Sequence, residues 1–176
     1  MNLLNLPDYD ISRVEQSARD YRVHATYKPE PDRCIHCGKG VLFGGKLYRH
    51  GSREQLLMDL PAHGKRVGVL LTRNRYRCQD CGKTFLQPIP DADERSQMTR
   101  RLAAAIRRAA AGGFTFASIA DAVGVSERAV RLLHYADRRR KKRGPGRLPK
   151  GDAGTDVDAL LRVLEQEPLV DGESTR

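Results

Sequence analysis

Four cysteines, arranged as two pairs of the same form, constrain this chain more than any other feature of its sequence. Cys34 and Cys37, like Cys78 and Cys81, are separated by two residues and followed by Gly-Lys. A turn of this kind directs both sulfurs at one metal ion, and the glycine takes the positive φ that follows it. Because two such turns complete a tetrahedral site, we predict that the four cysteines bind one structural Zn²⁺.

Other uses of paired cysteines fit this chain less well. Disulfides are rare in the reducing cytoplasm, and a thioredoxin-type pair needs only one such motif, in a βαβ setting that the sequence lacks. A closed four-thiolate site also has no open position for the water that a hydrolytic zinc requires. We therefore expect a structural metal and no catalytic residues. His36, inside the first pair, is expected to face solvent.

The 40 residues between the two pairs exceed the roughly 15 to 20 of a compact zinc ribbon. Apolar runs and alternating patterns predict β-strands at 21–28, 41–48, 55–60 and 65–76, with a turn between Pro61 and Gly64. The expected structure is a small antiparallel sheet whose hairpin tips are tied by zinc. Arg73, Arg75 and Arg77 alternate along the last strand and are expected to point outward, either as a solvated face or as phosphate contacts.

From Gln97 the apolar period changes from two residues to about 3.6, which predicts α-helix. The segment from Phe116 to Leu133 has the pattern of a helix-turn-helix. Ala120 is small where the two helices cross, Gly124 lies at the turn that requires a left-handed conformation, and Ser126 is expected to cap the second helix. The apolar residues expected to hold the two helices together are Ile119, Val123, Val125, Val130 and Leu133.

The second helix of this motif has a polar face opposite Val130 and Leu133. Its N-terminal half is expected to enter the major groove of DNA, where an arginine can bind guanine O6 and N7 with two hydrogen bonds. The alternative is a helical hairpin with a solvated charged face. The residues predicted to contact DNA here are Ser126, Glu127, Arg128, Arg131, Tyr135 and Arg138.

A run of six basic residues follows the motif at positions 138–143. Such a run adds affinity for DNA through counterion release, whatever the base sequence. The Gly-Pro-Gly-Arg segment after it resembles a minor-groove arm, and a plain solvated linker is the competing interpretation. The predicted contacts of this region are Arg139, Arg140, Lys141, Lys142, Arg143 and Arg147.

The net charge of +10 is unevenly distributed: residues 1–90 carry +6, residues 91–150 carry +9, and residues 151–176 carry −5. A basic body indicates a polyanionic partner, with double-stranded DNA the first candidate. In the acidic tail, apolar residues from Val157 to Leu164 predict a short amphipathic helix that ends before Pro168. This helix has four open roles: packing on the body, forming a homodimer, binding a protein partner through residues 156–166, or folding back onto the basic run.

A membrane location is not expected from this sequence. The longest uncharged stretch, Ala109 to Ala120, has 12 residues, whereas a bilayer span needs about 20 apolar ones. The N-terminus has no basic residue before Arg13, unlike a secretory signal. We therefore expect a cytoplasmic, nucleoid-associated protein.

We call each cysteine pair with its turn a zinc knuckle. With two knuckles and a helix-turn-helix in this order, the chain resembles the N-terminal half of bacterial insertion-sequence transposases of the ISL-three (ISL3) family. The resemblance covers roughly residues 3 to 140 and includes Leu-Leu-Asn-Leu-Pro near the start, Asp59-Leu60-Pro61, and the stretch from Arg75 to Phe85. In that family this half recognises transposon ends, and a larger catalytic domain follows it. Only 26 residues follow Lys150 here, so the resemblance implies the DNA-binding half without the catalytic domain.

The sequence as a whole predicts an α+β protein, in which a small antiparallel β zinc ribbon precedes an all-α helix-turn-helix domain. The expected boundaries are 1–90 for the zinc-binding domain, 91–137 for the helix-turn-helix, 138–151 for a basic linker and 152–176 for the acidic tail. The first functional hypothesis is a sequence-specific DNA-binding protein that regulates transcription or occupies transposon ends. The alternatives are a protein-interaction adaptor that uses the ribbon and the acidic helix, or a non-catalytic transposase subunit.

Overall fold

The computed structural model describes residues 7–93, 97–140 and 156–165, with side chains for all of these except 93 and 136–140. Within these ranges, seven strands form one sheet, and four α-helices follow in the chain. The predicted α+β class is therefore confirmed. None of the helices in the described ranges has the length and apolar content that spanning a bilayer requires.

Two long antiparallel strands form the centre of the sheet, β3 (Leu47–Ala62) and β4 (Lys65–Cys78). Their two-residue turn has positive φ at both positions, 53° at His63 and 70° at Gly64. Turns of this geometry match the natural twist of a hairpin. The turn lies where the sequence predicts it, although Pro61 still belongs to β3.

The remaining strands extend this hairpin on both sides. They are β1 (Tyr9–Gln16), β2 (Asp20–Tyr27), β5 (Thr84–Leu86), β6 (Ala92–Asp93) and β7 (Met98–Thr99). The sheet order is β1-β2-β4-β3-β7-β6, with β5 paired to the outer end of β4. Because β2 lies parallel to β4 and β7 parallel to β3, the sheet is mixed, where the sequence predicts antiparallel pairing only.

The strand predicted at 41–48 is wrong in its first part. Val41–Phe43 form a short 3₁₀ turn, and β3 begins only at Leu47. The carbonyl of Gly40 accepts hydrogen bonds from the N–H groups of both Phe43 (3.1 Å) and Gly45 (3.0 Å), which folds the chain back on itself. A side chain at Gly45 would lie 2.8 Å from that carbonyl, so the tight turn requires glycine there.

The prediction that Arg73 points outward is wrong. This residue lies inside the protein with 1% of its surface exposed. Its Nε donates to the backbone carbonyl of Gln87 (3.0 Å) and its Nη1 to Oε1 of Gln55 (2.7 Å). These acceptors compensate the burial of a charged group, which is otherwise costly. Arg75 and Arg77 point outward, as predicted.

The helices are α1 (Arg100–Ala111), α2 (Phe116–Val123), α3 (Glu127–Arg140) and α4 (Val157–Glu165). Helix α1 begins three residues after the predicted start at Gln97. Residues 98 and 99 pair as β7, and Thr99 Oγ1 then accepts the N–H of Leu102 (3.2 Å) as the N-cap. The cap satisfies an N–H group that the first turn of a helix leaves without a partner.

Helix α4 packs onto the helical body of the molecule. Leu160 is 1% exposed and Leu164 is fully buried, within the same core that α1, α2 and α3 build. The structure thus shows one of the four roles left open for this helix, packing on the body. The homodimer and the protein partner at residues 156–166 stay predictions.

The sheet and the helices are joined by polar contacts, one group buried and one at the surface. Asp59, fully buried on β3, accepts a hydrogen bond from Oγ1 of Thr99 (2.6 Å) and one from Nε of Arg101 (2.8 Å). On the other side, Arg66 of β4 forms an ion pair with Asp121 of α2 at 2.6 Å. These contacts fix the orientation of α1 and α2 on the sheet.

Candidate metal centre and nucleic-acid interface

The first knuckle is a tight turn held by backbone hydrogen bonds. The N–H of Cys34 donates to the carbonyl of Lys39 (3.0 Å), and the N–H of Gly38 donates to the carbonyl of Cys34 (2.9 Å). Gly38 has φ of 73°, as the sequence predicts. The second knuckle, at residues 78–83, repeats both hydrogen bonds at the same positions and distances. Two turns of one design therefore present their thiols in the same way.

The four sulfurs converge on one point between the knuckles. All lie within 4.8 Å of one another, with Cys34 3.7 Å from Cys81 and Cys37 3.8 Å from Cys78. A tetrahedral zinc with bonds of about 2.3 Å requires sulfurs that are about 3.8 Å apart. The predicted set of four sulfurs thus fits one tetrahedral Zn²⁺ ion.

The pKa values of two of these thiols are shifted in opposite directions. Burial raises the pKa of Cys34, but hydrogen bonds from the backbone N–H groups of Cys37 and His36 outweigh it and lower this pKa to about 6. A backbone N–H hydrogen bond at Lys39 lowers the pKa of Cys37, but burial and the neighbouring thiols outweigh it and raise this pKa to about 11. Four thiolates at these distances repel one another, so full ionisation requires a metal ion between them.

The metal centre has a small apolar base and a polar rim. Tyr76 and Phe85 are stacked beneath it at 6.1 Å between ring centroids. An ion pair between Lys39 and Asp80 connects the two knuckles. His36 is exposed and its Nε2 lies 3.3 Å from the carbonyl oxygen of Thr84, so its position outside the sulfur cluster agrees with the prediction.

The helix-turn-helix has the caps and the turn that the sequence predicts. Gly124 ends α2 in a left-handed conformation with φ of 73°. Oγ of Ser126 accepts the N–H of Ala129 at 3.2 Å and caps α3. A side chain at Gly124 would lie 3.0 Å from atoms of Arg66 and Met58, so this turn also packs closely on the sheet. The apolar residues predicted between the helices are buried or half-buried, namely Ile119, Val123, Val125, Val130 and Leu133.

The outer face of α3 begins with exposed polar residues at its N-terminus. Ser126, Glu127, Arg128 and Arg131 are all exposed. Within the described ranges, Arg128 has no hydrogen-bond or ion-pair partner. Arg131, in contrast, is held by Glu127, with its Nε at 3.0 Å and its Nη2 at 2.5 Å from Oε1.

Phe116, at the start of α2, contacts this face and is absent from the predicted site. The guanidinium of Arg131 lies 5.8 Å from the centre of its ring, and the ring of Tyr135 lies 6.3 Å away, edge to face. Phe116 therefore helps to fix two predicted contact residues in place. The spacing of 15 residues between Phe116 and Arg131 offers no signal for this contact, which depends on the crossing of the two helices.

The remaining predicted DNA contacts lie outside the side chains that the structure describes. Residues 138–140 belong to α3, but their side chains lie outside the described ones, and Lys141, Lys142, Arg143 and Arg147 lie outside the described residues.

Two family models match the chain, and both describe parts of ISL3 transposases. The zinc-finger of transposase IS204/IS1001/IS1096/IS1165 matches residues 30–81, which include both knuckles. The helix-turn-helix domain of transposase family ISL3 matches residues 87–131, which include α1, α2 and the start of α3. A search of curated proteins and a search of solved structures return no match to this chain.

Proposed function

We propose that this chain, whose zinc ribbon and helix-turn-helix domain match those of ISL3 transposases, is a sequence-specific binder of double-stranded DNA. The observation that carries the proposal is the exposed N-terminal face of α3, where Arg128 has no partner within the described ranges. An exposed, unpaired arginine at the start of a recognition helix is suited to reading guanine in the major groove.

The neighbouring residues have different roles in this proposal. Ser126 and Glu127 lie at the N-terminus of α3, close to the DNA backbone and the first base pairs. Arg131 is already bound to Glu127 and stacked near Phe116, so it presents a fixed cation to the groove. Arg139, Arg140, Lys141, Lys142, Arg143 and Arg147 add affinity without sequence preference.

In this proposal the zinc is structural and the chain acts without catalysing a reaction. Four cysteine thiolates close the coordination sphere, and bound zinc would hold the two knuckles against Tyr76 and Phe85. The biological role is occupation of transposon ends or regulation of transcription from a related site, in the cytoplasm with the nucleoid.

The proposal is tested by selecting binding sites from a random duplex pool with zinc-loaded protein at ~0.15 M salt, where non-specific contacts are weakened. We expect an enriched motif: an inverted repeat indicates a dimeric regulator, and a longer asymmetric motif indicates transposon-end binding. No enrichment would overturn the proposal.

On the enriched site, Arg128→Ala is expected to weaken binding by ~1–3 kcal/mol and to relax the preference at one base pair. Arg131→Ala is expected to affect preference less, because its guanidinium is already engaged. Arg162→Ala on α4 removes the same charge from an exposed position and serves as the control. Equal losses for Arg128→Ala and Arg162→Ala would show that α3 is not the reading element.

A further inference from the structure

The outer part of the central hairpin, beyond the sheet's own core, has a basic face that the proposed function does not use. This β arm consists of residues 47–53 of β3, 73–78 of β4 and the strand β5. Tyr48 pairs with Arg77, and Arg53 pairs with Arg73. Directly paired residues share one face of a sheet, and Arg75 lies two residues from both Arg73 and Arg77.

This arm face is therefore formed by Tyr48, Arg53, Arg75 and Arg77. It is opposite to the zinc side, because the intervening Tyr76 and Cys78 are buried with Phe85 in the core of the metal centre. All three arginines are exposed, and Tyr48 is 51% exposed. The face ends where Arg73 turns inward towards Gln87.

The charge of the arm face is not compensated by the protein. Arg53, Arg75 and Arg77 have no hydrogen-bond or ion-pair partner within the described ranges. The arm itself contains no acidic residue. Some cations on other surfaces of the same sheet are paired, as Arg49 is with Glu30 at 2.6 Å and Arg66 with Asp121 at 2.6 Å. Neighbouring like charges without counter-charges attract a polyanion.

We propose that the arm face binds the sugar-phosphate backbone of double-stranded DNA, as a second contact region besides α3. This inference rests on the proposed function and deepens it. Arg75 and Arg77 are two residues apart on one strand, so their Cα atoms are separated by about 6.6 Å. This distance is similar to the spacing of successive phosphates along a DNA strand. Each guanidinium can bind a phosphate with two parallel hydrogen bonds.

Duplex DNA fits this surface better than a single strand does. Proteins that bind single strands stack successive bases on several aromatic side chains. The arm face has one exposed aromatic ring, Tyr48, since Tyr76 and Phe85 face the zinc centre. Phosphate contacts position a protein on DNA without reading its sequence. The arm is therefore expected to supply affinity and orientation, and α3 the sequence preference.

The test uses the full zinc-loaded chain with Arg53→Gln, Arg75→Gln and Arg77→Gln combined, and Arg49→Gln as the matched control. Arg49 lies on the same arm but on the opposite face, because it pairs with Tyr76. Affinities for the selected duplex and for an unrelated duplex are measured over a series of salt concentrations. Because all four arginines are exposed, these variants are expected to fold, and circular dichroism checks this.

We expect the triple variant to reduce the slope of log K against log salt by about 0.9 per lost contact, or roughly fivefold in affinity per contact at ~0.15 M salt. The loss is expected to be equal for both duplexes, and Arg49→Gln is expected to leave the slope unchanged. A slope equal to that of the wild type, or an equal loss in Arg49→Gln, would overturn the inference. If the wild-type protein shows no sequence preference, the proposed function is overturned but this inference is not, because the contribution of the arm to affinity is also measured on the unrelated duplex.

Discussion

The hydroxyl of Tyr9 is buried and has no hydrogen-bond partner in the described part of the chain. The residue is 4% exposed, and its ring contacts that of Tyr27 edge to face at 5.4 Å. Burial is the largest of the effects that raise the pKa of Tyr9 above its usual value of 10.0. The folded state therefore favours the protonated phenol.

We predict that Tyr9→Phe is neutral or stabilises the protein by about 1 kcal/mol, because it removes a buried polar group without a partner. The pKa of Tyr9 is higher in the folded state than in the unfolded state. Its contribution to the free energy of unfolding is therefore fully present below pH ~10 and declines as the pH rises further. The stability of the Tyr9→Phe variant is expected to decline less than that of the wild type in that pH range. Urea unfolding at pH 7 and above pH 10 measures both effects, with Tyr48→Phe as the exposed control. A loss above 1 kcal/mol at pH 7 would contradict the prediction.

At the scale of elements, α4 completes the core of the helix-turn-helix. Leu160 and Leu164 fill this core together with Leu102 and Ile106 of α1. Oε1 of Glu165, at the end of α4, accepts the N–H of Gly64 at 3.2 Å and connects the helix to the β3–β4 turn. The acidic helix is thus part of the folded body rather than an independent module.

We predict that Leu164→Ala lowers the free energy of unfolding by ~2–5 kcal/mol, because it leaves a cavity in a packed core. Val157→Ala is the control: Val157 lies on the same helix but is 58% exposed, and the expected change is within about 0.5 kcal/mol. Chemical denaturation followed by circular dichroism measures both. Similar values for the two variants would show that α4 does not pack on the body in solution.

At the scale of the whole molecule, the sheet contains two cores besides the one that it shares with the helices. Ten buried residues, among them Tyr9, Val23 and Leu71, form one core near β1 and β2. Two of the cysteines belong to the other, which consists of Cys34, Tyr76, Cys78 and Phe85, and Cys81 packs against it. Only the second core depends on metal directly.

We therefore predict that zinc removal unfolds the knuckles and the outer hairpin but leaves the first core and the helices folded. Metal binding contributes folding free energy where the ligands lie. Hydrogen exchange of the protein with and without a chelator measures this, and Cys37→Ser is expected to give the chelated pattern without a chelator. Retained protection at Tyr76 and Phe85 after metal loss would contradict the prediction, as would simultaneous unfolding of α1.

Local patterns in the sequence determined the chemistry of this protein. The two knuckles, the left-handed Gly124 and the cap at Ser126 depend on neighbours within a few residues, so their geometry is encoded by short motifs. The α+β class follows in the same way from the change of apolar period near Gln97.

Contacts between distant segments were decided by the tertiary structure. Arg73 alternates with Arg75 and Arg77 in the sequence, yet it is buried, because Gln55 of β3 and Gln87, just after β5, provide acceptors only when these segments meet at β4. The parallel pairing of β2 with β4, the contact of Phe116 with Arg131, and the packing of α4 have the same origin. Each depends on groups from different segments of the chain, whose proximity is a property of the folded molecule and is not specified by a local pattern.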